Sequence, residues 1–233
     1  MTKAGRIERA LRERVAAALP HDPVPSEAAL CEEFEVSRMT ARGVLQRLVA
    51  DGLVYRQVGR GSFVAPPAVV RRADALVRFS AEMRRQGRRP SSRVLSAGLR
   101  PARGAEAARL GVGAGEDVVA VERLRLADDV PVALERAVFP GRLQGLLDAD
   151  LARESLHEVL GRLGRAPARG HATVAARAAD ETEWRLLDLA AGAALLVESR
   201  VIVDRDGQAV EFTESRYAGE RYGLLVAFTV EEQ

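Results

Sequence analysis

Two pairs of arginines stand at spacings that can do chemistry. Arg38 and Arg42 are four residues apart, so on a helix both leave the same face. Arg123 and Arg125 are two apart, the spacing that puts both on one side of a β-strand. An arginine paired bidentately with guanine contributes about 1–3 kcal/mol of discrimination, and the same fork matches phosphate or carboxylate. Two arginines on one buried or cleft-lining strand face repel unless something negative joins them. That partner is either a bound anion or an internal carboxylate, and Glu135 and Glu211 are the internal candidates. No catalytic or metal-binding set accompanies them. His21, His157 and His171 lie far apart without ligand spacing, and neither a Gly-x-Ser-x-Gly nor a P-loop pattern is present. No metal or cofactor is therefore expected.

The elements that must hold Arg38 and Arg42 can be read locally. Pro25 discourages helix upstream of it and Ser26 is a good N-cap, so a helix opens there with Leu30 and Phe34 on one face. Val36 breaks it, and Ser37 caps a second helix from about Arg38 to Asp51, closed by Gly52. Ala41, Val44, Leu45 and Leu48 form its apolar stripe, while Met39, Arg42, Gly43 and Gln46 point the other way. A further helix over Gly5 to Leu19, ended by Pro20, carries Ile7, Ala10, Leu11, Arg14, Val15, Ala18 and Leu19 at helical spacing and packs behind these two. Two β-rich runs, Leu53 to Gln57 and Ser62 to Ala65, follow, with Val58 to Gly61 as a hairpin tip. Helices ending in a hairpin with an arginine at its tip describe a winged helix, a DNA-binding head. Near its helix N-terminus, Ser37 and Thr40 can reach phosphates. Gly59 permits close approach to a duplex, and Arg60 can enter the minor groove.

Composition is consistent with two domains in 233 residues. No apolar run approaches the roughly 18 residues of a membrane span, no signal-peptide core precedes the first helix, and the single Cys31 fits a reducing, cytoplasmic setting. The net charge of +2 hides a segregation. Residues 67–93 carry eight arginines against Asp74 and Glu82, whereas residues 94–233 carry 17 basic and 23 acidic side chains. A basic front and an acidic remainder imply a polyanion at one end only. The arginines of 71–93 either touch DNA phosphates or are solvated.

Ala65-Pro66-Pro67 signals a boundary, giving a head over 1–66, a linker over 67–78 and a second domain over 79–233. A helix is predicted over Leu76 to Gly87. Strands are predicted near 93–100, 118–126, 132–139, 170–178, 195–203, 209–217 and 224–229, and helices at 105–110, 156–163 and 181–189. The last helix has Asp180 as N-cap and Glu183 in the capping-box position. This pattern is α+β with a mostly antiparallel sheet. Positions 76 apart agree, with Arg109 on Arg185, Leu110 on Leu186, Glu122 on Glu198, Asp128 on Asp204 and Glu135 on Glu211, which suggests two related halves with a cleft between them.

The first 65 residues resemble the winged helix-turn-helix domain of the GntR family of bacterial transcription regulators. The resemblance is carried by Pro-Ser-Glu-Ala-Ala-Leu (Pro25 to Leu30), Val-Ser-Arg-Met-Thr-Ala-Arg (Val36 to Arg42) and Gly-Arg-Gly-Ser-Phe-Val (Gly59 to Val64). Ala28 stands where that family usually has arginine, and Gly43 where it has a longer residue. The rest resembles the UTRA effector domain of its HutC subfamily, through Phe79 to Met83, Pro90 to Leu95, Val121 to Asp128, Pro131 to Arg136 and Val210 to Tyr217. The resemblance implies a chorismate-lyase-like fold that binds a small effector without catalysis. It assigns DNA contacts to the start of the second helix-turn-helix helix and the wing tip, here Ser37, Arg38, Thr40, Arg42, Gln46, Gly59 and Arg60. It places the effector's anion at Arg123 and Arg125 with Ser80 and Ser155 as hydroxyl donors, and its polar groups at Glu135, Glu211 and Tyr217. The implied protein is a homodimeric repressor. It would be released from an inverted-repeat, double-stranded DNA operator by a small anionic effector, a sugar phosphate or carboxylate. Alternatives are a chorismate-lyase-like enzyme and a constitutive DNA-binding protein whose second domain only dimerises.

Overall fold

The computed structural model describes residues 3–57, 60–65, 69–72 and 78–225. The chain divides into two compact units, Met1–Ala68 and Val69–Gln233.

In the first unit, helices α1 (Lys3–Ala17), α2 (Glu27–Phe34) and α3 (Arg38–Ala50) precede strands β1 (Val54–Gln57) and β2 (Gly61–Val64). Ser26 and Ser37 cap α2 and α3, each hydroxyl accepting the backbone N–H three residues on, at 3.1 and 3.2 Å. Between them Glu35 adopts a left-handed φ of 51° and redirects the chain, as Gly52 does after α3 at 68°. Ala41, Val44, Leu45 and Leu48 are buried against Ile7, Leu11 and Leu30, so the apolar stripe of α3 is its core face. Helix α1 stops at Ala17, short of the expected Leu19, and Leu19 is 72% exposed. Pro20 disfavours helical backbone at the residue before it, and the Leu19 amide donates instead to the Asp22 carboxylate at 2.8 Å. Strands β1 and β2 pair antiparallel, Val54 opposite Val64 and Gln57 opposite Gly61.

The second unit is built on an antiparallel six-stranded sheet. Its strands are β4 (Pro90–Pro101), β5 (Asp117–Ala127), β6 (Val130–Pro140), β7 (Arg169–Ala178), β8 (Ala194–Val203) and β9 (Ala209–Ala218), in the order β4-β5-β6-β9-β8-β7. Helices α5 (Gly104–Leu110) and α7 (Glu181–Leu186) cover one face. There Leu110 meets Val118 and Val138, and Leu187 meets Leu124 and Leu134. The other face holds a 3₁₀ turn, Gly141–Asp148, and α6 (Leu156–Arg162), whose Leu146 and Leu160 pack on Val119, Val121 and Phe139. Helix α4 (Phe79–Arg85) leads into β4.

Within the stretch expected as a linker, residues 69–72 form a strand. Strand β3 (Val69–Arg72) pairs in parallel with β10 (Tyr222–Leu225) near the far end of the chain. A pairing partner so remote leaves no mark in local composition. The readings of a helix from Leu76 and a strand through Thr229 reach into 73–77 and 226–229, outside the described residues. Several arginines of the basic stretch pair with carboxylates, the exposed Arg78 with Glu158 at 3.1 Å, the exposed Arg85 with Glu82 at 2.7 Å and the largely buried Arg88 with Asp128 at 2.9 Å.

The internal repeat is present but its offset differs from expectation. The units β4-α5-β5-β6 and β7-α7-β8-β9 meet where β6 pairs with β9. In the first, Arg100 bonds Glu106 through both terminal nitrogens at 2.7 Å. In the second, Arg177 bonds Glu183 in the same way at 2.5 and 2.6 Å. Glu106 and Glu183 also accept the amides of Arg103 and Asp180. Gly111 and Asp188 both close their helices with left-handed backbone. These pairs lie 77 apart, not 76, so the counterpart of Leu110 is the buried Leu187 rather than Leu186. Through the following hairpin the registers diverge again. Arg123 lies directly opposite Glu135, whereas Arg200, its counterpart, lies opposite Thr213. The counterpart of Glu135 is therefore Thr213, and Glu211 lies two residues from Thr213 on the same face of β9.

Candidate functional site

The two sites expected from the sequence lie one in each unit, and their physics differs. On the first unit, Arg38, Gln46 and Arg60 are exposed, and no carboxylate pairs with Arg38 among the described residues. Arg42 is also exposed, but its Nε donates to Glu27 Oε1 at 3.1 Å. Ser37 and Thr40 engage each other, the Ser37 Oγ accepting the Thr40 amide and lying 3.0 Å from its hydroxyl. Each hydroxyl keeps lone pairs or a rotatable proton for a phosphate. Gly59 lies outside the described residues. The outer face of α3 thus carries two arginines, a glutamine and a cap, with Met39 78% exposed beside them.

On the second unit, all seven expected effector residues, Ser80, Arg123, Arg125, Glu135, Ser155, Glu211 and Tyr217, line one cavity. Its solvent-accessible volume is about 40 Å³, and it is partly open to solvent. The placement follows from the sheet. Arg123 and Arg125 leave β5 on the face that α4 and α6 flank, Glu135 projects from β6 beside them, and Glu211 and Tyr217 project from β9. Ser80 sits in the first turn of α4. Ser155 precedes α6 without using its hydroxyl as a cap.

Within this cavity the two arginines of β5 fare differently. Arg123 is satisfied: its Nε donates to Glu135 Oε1 at 2.9 Å, Nη2 joins the same oxygen, and Nη1 reaches the carbonyls of Leu151 and Glu154. Arg125 is 4% exposed, yet only its Nη2 finds a hydrogen-bond acceptor, Ser80 Oγ at 3.3 Å. Among the described residues its Nε and Nη1 have none, and Glu135 is 3.8 Å from Nη1. The Phe79 ring lies under its guanidinium, 4.5 Å from the ring centre. Burial pushes Arg125 down to about 10 despite the pull of Glu135, so it stays charged at neutral pH. Burial alone would raise the Glu135 carboxyl, but the charges of Arg123, Arg125 and Arg200, with the Arg123 hydrogen bond, hold it well below the usual carboxylate range.

The cavity also contains residues the sequence reading passed over. Arg200 sits between carboxylates, 3.1 Å from Glu198, 3.5 Å from Glu211 and 3.9 Å from Glu135. His157, read as an ordinary histidine, faces Glu211 with Nε2 2.8 Å from Oε2. An ionised carboxylate only accepts, so Nε2 carries the proton. Burial works to raise Glu211, but His157, Arg200 and the Thr213 hydroxyl outweigh it and hold the carboxyl at about 2. Tyr217 donates to Glu198 at 3.3 Å and stacks on Tyr222 at 3.8 Å. The repeat pointed to Arg200, but at 77 residues from Arg123, where the 76-residue offset lands on Ser199. His157 could have been noticed two residues beyond Ser155. Among the described residues no cluster of histidine, cysteine and carboxylate side chains is arranged to hold a metal ion, and no helix is long and apolar enough to cross a membrane.

Comparison with known proteins adds an independent line. Residues 3–64 match the family model described as bacterial regulatory proteins, gntR family, and residues 85–223 match that of the UTRA domain. The chain is 34% identical over 207 residues to the HTH-type transcriptional repressor NagR of Bacillus subtilis (strain 168), across 88% of this chain and 85% of that protein. The Histidine utilization repressor of Pseudomonas aeruginosa is 31% identical, with 90% and 84% covered. The crystal structure of PhnF from Mycobacterium smegmatis superposes with a TM-score of 0.68 at 28% identity, covering 97% of this chain and all of that one.

Proposed function

The chain belongs to the GntR family of bacterial regulatory proteins, in its HutC branch with a UTRA domain, and from this premise we propose a homodimeric repressor released from an inverted-repeat operator by a small anionic metabolite. One observation carries the effector side of the proposal. Arg125 is a buried cation with two nitrogens, Nε and Nη1, lacking an acceptor among the described residues, in a cavity that also presents two serine hydroxyls. Leaving a buried charge incompletely paired costs free energy. An anion bridging Arg125, Ser80 and Ser155 would recover that cost, whether phosphate or carboxylate. The carboxylates and Tyr217 across the cavity then select among anions by the hydroxyl or amino groups they carry.

On the DNA side, Arg38 and Arg42 read base edges, while Ser37, Thr40, Gln46 and the wing tip at Gly59 and Arg60 hold the backbone and flanking groove. Two heads related by a two-fold axis match a two-fold operator. The effector acts by linkage: it favours the dimer geometry in which the heads are wrongly spaced, and derepression equals its differential affinity for the two states, about 1–3 kcal/mol. The matched relatives are named transcriptional repressors, which favours regulation over turnover.

The test is a thermal-shift screen of the full chain against inorganic phosphate, sugar phosphates, amino-sugar phosphates and small carboxylates, followed by operator release with any hit. A hit that raises the melting temperature and weakens operator binding supports the reading. An effector that turns over argues for an enzyme instead, and a screen in which no anion stabilises the protein removes the sensor role. Operator affinity should also fall steeply with salt.

A further inference from the structure

Among the described residues of the first unit, Glu27 joins two arginines from different elements through a single oxygen. Glu27 is the first residue of α2, and its Oε1 accepts from Arg42 Nε and from Arg56 Nη2, each at 3.1 Å. Three elements, α2, α3 and β1, therefore converge on a single oxygen. The cluster lies at the surface, with the Arg42 and Arg56 side chains 56% and 38% exposed. Ion pairs so exposed contribute little to stability. Burial would raise the Glu27 carboxyl, but hydrogen bonds from Arg42 and Arg56 outweigh it and keep it ionised. Arg38, one turn before Arg42, has no such anchor among the described residues.

We propose that Glu27 is a positioning residue for DNA recognition, holding Arg42 by its Nε so that the terminal nitrogens remain free as a fork aimed at one base pair. The inference rests on the DNA-reading role assigned above to α3. Reading guanine takes two N–H donors in a fixed orientation. An unanchored arginine must lose its rotamer freedom on binding, whereas one tethered at Nε has lost much of it beforehand. Arg56 brings strand β1 of the wing to the same oxygen, so the recognition helix and the wing share one reference point. The arrangement has a cost, because a carboxylate near the phosphate backbone opposes binding to any duplex. Glu27 thus trades general affinity for discrimination at a single position.

The experiment selects bound duplexes from a random pool with the full-length protein. The wild type defines the operator, and Arg42→Ala marks the base pair that Arg42 reads. Glu27→Gln should lower the preference at that pair about tenfold, within the range of one bidentate contact. Preferences elsewhere in the site should stay unchanged, and affinity for random-sequence DNA should rise. Glu27→Asp keeps the charge but shortens the side chain beyond the reach of Arg42, and should show the same loss at one position. Unchanged preference at the Arg42 base pair in both variants overturns the proposal. So does a loss spread evenly across the site, which is what a merely structural role produces. A wild-type protein that selects no motif at all removes the DNA-reading assignment itself, and the role of Glu27 falls with it.

Discussion

The arginines of α3 and those of β5 are the same residue type put to opposite physical use. Arg38 and Arg42 stand in water, where a guanidinium costs nothing to keep charged and its salt bridges are weak. Arg123 and Arg125 are 3% and 4% exposed, where a charge survives only if surrounding groups replace its hydration. Arg123 has that replacement in Glu135 and two backbone carbonyls; Arg125 does not. The difference separates two kinds of anion recognition. In the proposed function the exposed pair meets a large polyanion whose own charge density drives binding. There the buried Arg125 takes a small anion that completes an internal network, which couples binding to the energetics of the fold.

The contrast is broken most severely by Arg125→Met. Replacing a poorly paired buried cation by an apolar side chain of similar size should leave the ligand-free protein folded, because Arg123 and Arg200 still face Glu135. The same change should abolish the stabilisation by anions, both outcomes being visible in a thermal-shift titration. A destabilised variant that still responds to anions would mean that Arg125 is structural.

Arg38→Ala should do the reverse. Operator affinity should fall by about 1–3 kcal/mol at the base pair it reads, while the melting temperature shifts by no more than about 0.5 kcal/mol of stability. Competition binding with operator variants measures the first and calorimetry the second.

Acid sharpens the comparison further. Glu183 and Glu211, both buried in the second unit, are held at about 2. For Glu183 the largest cause is the hydrogen bond from Arg177; for Glu211 the pull of His157 and Arg200 overcomes burial. Carboxyls depressed in the folded state stabilise it above their unfolded value near 4.3, and that contribution is lost as pH falls from there towards about 2. Trp184, the single tryptophan, adjoins Glu183, so its fluorescence should report acid unfolding of the second unit over that window. A flat response there would contradict the depressed carboxyls. The smallest effect expected is at Gly43. A Cβ there meets nothing within 4 Å, so Gly43→Ala in mid-helix should stabilise the first unit by about 0.5–1 kcal/mol in denaturant unfolding.

Much of this was legible in the residues. Ser26, Ser37 and Asp180 announce helix starts because an N-cap is a local bond, made within three residues. The stripe Ala41, Val44, Leu45 and Leu48 announces its buried face because periodicity is local too. The seven residues expected at the effector site line one cavity, yet the pairing among them was not readable. That Glu135 satisfies Arg123 and leaves Arg125 wanting depends on Glu135 standing directly opposite Arg123. The repeat shows the same limit, since it was found but misaligned by one residue, enough to put Ser199 in place of Arg200.

Sequence alone determined that this chain has a three-helix head with a wing, a duplicated antiparallel domain, and paired arginines on a helix of the first and a strand of the second. These are properties of spacing, and spacing is written along the chain. Only the tertiary structure decided which charges find partners, that β3 joins β10, and that His157 and Arg200 enter the cavity. Strand register, bulges and packing set those distances, and a shift of one residue turns a side chain to the opposite face of the sheet.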